Sequence, residues 1–124
     1  MPHATAQPVA TAAEEQSPPD IATMRTAARR LLAADAEPPT PGELSTLATL
    51  LRGHINALVP AVAMAARGLP KDDVPRACAM ACIGEARMRL RLGDGDTTAV
   101  RTAVAVRLAR SVNALADHYE NLRP

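Results

Sequence analysis

Two cysteines, two histidines and one carboxylate are the side chains whose types and spacing could carry chemistry. Cys78 and Cys82 lie four residues apart. On a helix that puts both thiols on one face, at the spacing of helical metal ligands, and a disulfide between them would be strained. His54 and His118 flank apolar stripes in other segments, so one reading is a Cys2His2 site built from Cys78, Cys82, His54 and His118. The simpler reading has the cysteines as reduced, slow-reacting hydrophobes in a tight helix contact and the histidines as boundary residues. No metal or other cofactor is then expected. Glu85 precedes Arg89 by four residues, the order that suits an ion pair within one helix. Desolvated and unpaired, Glu85 would instead act as an acid or base. The adjacent Asp117 and His118 point about 100° apart on a helix and form no dyad. The chain has no glycine-rich phosphate loop, no motif for a Ser-His-Asp or Cys-His nucleophile and no paired carboxylates facing one space. It reads as a non-enzymatic protein, with a small-molecule or metal-binding bundle centred on Cys78, Cys82 and Glu85 as the alternative.

The elements that must position these residues are helices. The 124 residues suffice for one domain, and 48% of them are apolar. Alanine occurs 27 times and Tyr119 is the single aromatic residue. That composition favours closely packed helices. It disfavours strand-rich folds and modules that stack bases on aromatic rings. Residues 1–16, rich in Ala, Pro and Thr without periodicity, read as a disordered tail. Residues 17–124 read as an all-α domain, an antiparallel four-helix bundle with helices at about 18–36, 41–67, 73–92 and 98–122. Ser17 is the expected cap of the first helix. The clearest local signal is Thr40-Pro41-Gly42-Glu43, a capping box ahead of the stripe Leu44, Leu47, Leu51, Ile55, Leu58 and Val62. Pro60 falls opposite that stripe, on the expected outer face.

Charge and targeting exclude several classes. A net charge of +1 supplies no strong field for nucleic acid or a membrane surface. The arginine groups Arg25/Arg29/Arg30, Arg76/Arg87/Arg91 and Arg101/Arg107/Arg110 read as solvated helix faces. No apolar run of roughly 18 residues is apparent, and the first residues do not resemble a secretory signal. The expected location is cytoplasmic.

Two blocks of sequence resemble a family of small actinomycete proteins catalogued with natural-product biosynthesis and otherwise of unknown function. One runs from Leu69-Pro70-Lys71-Asp72-Asp73-Val74-Pro75-Arg76-Ala77-Cys78 through Gly84-Glu85-Ala86-Arg87. The other runs from Arg107-Leu108-Ala109-Arg110-Ser111-Val112-Asn113-Ala114-Leu115 through Asp117-His118-Tyr119-Glu120-Asn121-Leu122. The resemblance spans about Ile21 to Leu122. It implies a role in secondary metabolism, but no reaction and no active-site residues.

The third helix shows two apolar stripes, Val74/Ala77/Cys78/Ala81/Met88 and Ala79/Ile83/Ala86/Leu90. The first half of the fourth is apolar outside its core stripe, at Ala99, Ala103 and Val106, and Arg110, Asn113 and Asp117 form a polar ridge further on. These surplus faces predict an accessory or regulatory protein that works by protein–protein contact. The expected binding residues are Ile83, Leu90, Ala99, Ala103, Val106, Arg110, Asn113 and Asp117. The expected partner is a second copy of the chain or another protein of the same pathway, with no membrane and no nucleic acid involved.

Overall fold

A computed structural model describes residues 17–123. The tail expected at residues 1–16 lies outside the described residues. Four helices follow in chain order: α1 (Ile21–Leu32), α2 (Pro41–Arg67), α3 (Val74–Leu90) and α4 (Thr98–Leu122). The described residues contain no strand.

One capping device starts all four helices. The side chains of Asp20, Thr40, Asp73 and Thr97 accept the backbone N–H of the residue three positions on, namely Thr23, Glu43, Arg76 and Val100. Each satisfies a donor that the first helical turn leaves without an internal partner. For α1 this corrects the expected start. Asp20, not Ser17, is the cap, so the helix begins only after Pro18 and Pro19. It also stops at Leu32, because Ala33 turns extended, with ψ of 142°, and its carbonyl accepts the N–H of Ala36. At α3 the same device makes Asp73 a cap rather than a helical residue, and Arg91 closes the other end. Pro60 is exposed and α2 runs through it, as expected. Gly95 is the one described residue with positive φ, at 90°, and a Cβ there would collide with the Val100 side chain. The α3–α4 turn therefore depends on glycine.

Cross-links between helices fix their directions. Arg25, near the start of α1, pairs with Asp117 and Glu120 at the end of α4. Arg30, near the end of α1, pairs with Glu43 at the start of α2. Arg52 of α2 reaches Asp94 and the Leu92 carbonyl just past α3. Arg89, near the end of α3, donates to Ser111 of α4. Consecutive helices are thus antiparallel. The bundle is not square, however. α2 and α4, diagonal partners in an up-down bundle, pack directly on each other, whereas α1 and α3 do not touch. Alanine permits this: Ala66 and Ala109 are fully buried in one core with Leu51, Ile55, Leu58, Leu108 and Leu115. Small side chains let the two longest helices close the diagonal.

By length and composition α2 is apolar enough to cross a membrane, which corrects the reading that no such stretch exists. In this fold its apolar stripe is buried against the other three helices.

Candidate functional site

α3 leaves a strip of apolar surface uncovered, in addition to the separately exposed Leu50 and Met64 of α2 and Val100 of α4. Its inner face is conventional. Ala79, Ile83 and Ala86 are buried, and Leu90 packs half-buried against the same core. On the flank toward α4, Arg89 donates to Ser111 Oγ at 3.0 Å and to the Arg107 carbonyl at 3.2 Å. The same guanidinium pairs with Glu85 at 3.1 Å, the expected i,i+4 arrangement. Ser111 is 2% exposed, so Arg89 supplies a hydrogen bond to a hydroxyl that the core encloses. Glu85 is on the exposed side of α3. Its side chain is 63% exposed and paired, so it is no desolvated acid.

The outer face runs opposite. Val74 is 70% and Met88 68% exposed, and Ala77, Cys78, Ala81 and Gly84 are exposed between them. Met80 widens the patch on one side. On the other, a shallow groove passes Ala81, Gly84 and Met88 and reaches Leu92 and Arg107 beside α4, with Glu85 and Arg89 on its wall. A Cβ built on Gly84 would meet nothing, so this backbone lies open to an approaching surface.

The expected binding residues divide between surface and core. Ile83 is 1% exposed and belongs to the core, and Leu90 packs on it. Neither faces outward, because α2 and α4 cover that stripe of α3. Ala99, Ala103 and Arg110 are exposed, and Val106 is half-buried. Asp117 is paired with Arg25 at 2.8 Å and so helps hold α1. Asn113 is half-buried, and its Oδ1 is enclosed without a hydrogen-bond partner.

The Cys2His2 reading is not supported. Among the described residues no group of three or more His, Cys, Asp or Glu side chains could hold a metal ion. Cys78 and His54 are on helices serving different neighbours: Cys78 is exposed on α3, while His54 on α2 lies within electrostatic reach of the α1 cap Asp20. Burial pushes the His54 pKa down, opposed by Asp20, and its Nε2 is enclosed without a partner. The two thiols also differ, against the expectation that both are hidden. Cys78 is exposed and Cys82 half-buried, with burial first, then Glu85, pushing the Cys82 thiol up.

These features define a small all-α protein with an apolar strip exposed on the outside of α3. The chain belongs to a family of unknown function, DUF6415, whose model matches residues 22–124, from the first turn of α1 to beyond the end of α4. No curated protein and no solved structure matches it.

Proposed function

We propose that this is a non-enzymatic accessory or regulatory protein that acts by docking a helix of a protein partner on the outer face of α3. One observation carries the reading: the strip Val74, Ala77, Ala81, Gly84 and Met88 is apolar and exposed on the side of α3 turned away from the core. Contiguous exposed apolar surface is a mark of interaction sites. The alanines and the glycine in the middle of the strip allow close helix approach, while Val74 and Met88 supply apolar bulk at its ends. The place of this activity in natural-product biosynthesis rests on the resemblance of the Leu69–Arg87 and Arg107–Leu122 blocks to that family of actinomycete proteins.

The test is made in the native host, by metabolite profiling of a deletion strain and of strains carrying single substitutions. Ala81→Glu should reproduce the deletion profile while the protein accumulates normally. Asn56→Glu, at an exposed position on α2, should match the parent. A deletion without a metabolic phenotype would overturn the biosynthetic role. An Ala81→Glu strain that behaves as the parent, beside a deletion that does not, would overturn docking on α3.

A further inference from the structure

We infer that the helix docking on the outer face of α3 belongs to a different protein and borders its apolar face with aspartate and glutamate. The inference rests on the docking reading above and gives the partner its charge.

The charges beside the strip are not balanced along its length. At the Val74 end, exposed Lys71 and Asp72 offset each other. Asp73 is committed as the cap of α3, and Arg76 donates to the Leu69 carbonyl at 2.7 Å. At the Met88 end, Arg87, Arg91 and Arg107 are exposed, and their guanidinium groups have no hydrogen bond or ion pair among the described residues. Arg87 and Arg91 follow Met80 by seven and eleven residues, so helical periodicity sets them on the edge that Met80 occupies. Arg107 lines the groove along the opposite edge. Glu85, the acid on that border, is paired with Arg89, and Asp94 is taken by Arg52, which leaves Asp96 in the turn beyond. The C-terminal dipole of α3 offsets only about half a charge of this surplus. Both edges of the strip therefore present cations without a counter-ion, next to an apolar floor.

The chain has no helix of its own to answer them. The acids within its four helices are Glu43, Glu85, Asp117 and Glu120, and each already holds an arginine of the same molecule. A second copy would have to release its own α1 or its own Arg89 to supply them. An anionic lipid surface would match the charge but not the shape. Insertion into lipid uses bulky side chains, whereas the middle of this strip is Ala77, Ala81 and Gly84, which let a helix backbone come close. An amphipathic helix with acids on both edges meets both features, and rim charges of this kind select the partner.

The test places the photo-cross-linker benzoylphenylalanine at position 81 of the full chain, irradiates the native host and identifies the captured peptide by mass spectrometry. The peptide should come from another protein and carry acids at helical spacing on both sides of an apolar stripe. Arg91→Glu together with Arg107→Glu should lower its yield by more than about tenfold without moving the thermal midpoint, whereas Arg91→Lys with Arg107→Lys should keep it. A captured peptide without such acids, a peptide of this chain, lipid alone or no capture overturns the inference, as does a yield that charge reversal leaves intact. Metabolite profiles separate its failure from that of the docking reading. If Ala81→Glu reproduces the deletion profile while the doubly charge-reversed strain matches the parent, docking on α3 stands and the acidic partner falls. If Ala81→Glu is harmless too, both readings fall.

Discussion

α1 and α3 occupy equivalent places in the bundle. Each lies against both α2 and α4, neither touches the other, and each begins on an aspartate cap. They are held differently. α1 buries Met24, Ala27 and Ala28 and is clasped at both ends by ion pairs, Arg25 to Asp117 and Glu120, and Arg30 to Glu43. Its outward side carries Thr23, Thr26 and Arg29, a surface suited to water. α3 buries Ala79, Ile83 and Ala86, sends a single arginine into the neighbouring helix, and turns an apolar strip outward. One flank is finished as a surface and the other is not. Function is therefore better sought from what a helix leaves uncovered than from its place in the fold.

The sharpest contrast lies within α3 itself. Ile83→Glu would put a carboxylate into the core without a partner and should unfold the domain, because an unpaired buried charge costs several kcal/mol, about the whole stability of a small domain. Met88→Glu on the opposite face should leave the monomer's midpoint nearly unchanged. Circular dichroism melts of both decide it, and equal effects would erase the distinction between the two faces. Leu51→Ala, at the fully buried centre of α2 that seats both flanks, should cost about 2–5 kcal/mol in urea titration.

Arg89→Ala should cost about 1–3 kcal/mol by leaving the buried Ser111 hydroxyl without its partner. Adding Ser111→Ala should recover part of that loss. Additive losses in the double variant would mean that the hydrogen bond does not hold α3.

Acid should loosen α1 before α3. The folded-state pKa of His54 is lowered by burial, so the folded protein binds fewer protons there than the unfolded chain. Its stabilising effect is full above the unfolded value of about 6.5 and declines as pH falls below it. Glu43 is also lowered, by its hydrogen bonds from Arg30 first, and its contribution is lost as pH falls below the ordinary glutamate value of about 4.5. Amide exchange should speed up first in α1 on acidification, and His54→Gln should remove the first step. Exchange rising equally in α1 and α3 would contradict the electrostatic clasp. The smallest effect belongs to Arg25→Met, for which an exposed pair is worth about 0.2–1 kcal/mol and fades with salt.

The caps and stripes were the most legible part of the sequence. Thr40-Pro41 places the start of α2 where it is observed, and Leu44 through Val62 gives its buried face in the correct phase. The start of α1 was ambiguous because Ser17 and Asp20 both qualify as caps, and only the extended path through Pro18-Pro19 decides for Asp20. The two stripes of α3 were visible, but which one is core was not. Ala79, Ile83 and Ala86 are as apolar as Val74, Ala81 and Met88, and the choice follows from the closed α2–α4 diagonal, which no local pattern encodes. The ridge Arg110, Asn113 and Asp117 is divided by a contact that local pattern does not encode either. Asp117 meets Arg25 from 92 residues away in sequence.

The closed diagonal also governs what this architecture is able to become. The core keeps Leu51, Ile55, Leu58, Leu108 and Leu115 beside alanines that have no side chain left to shorten. Hollowing it would mean truncating the leucines that seat both flanks, at about 2–5 kcal/mol for each. Variation costs far less on the exterior, where a change at Ala81 or Met88 remakes exposed surface without touching what keeps the molecule folded.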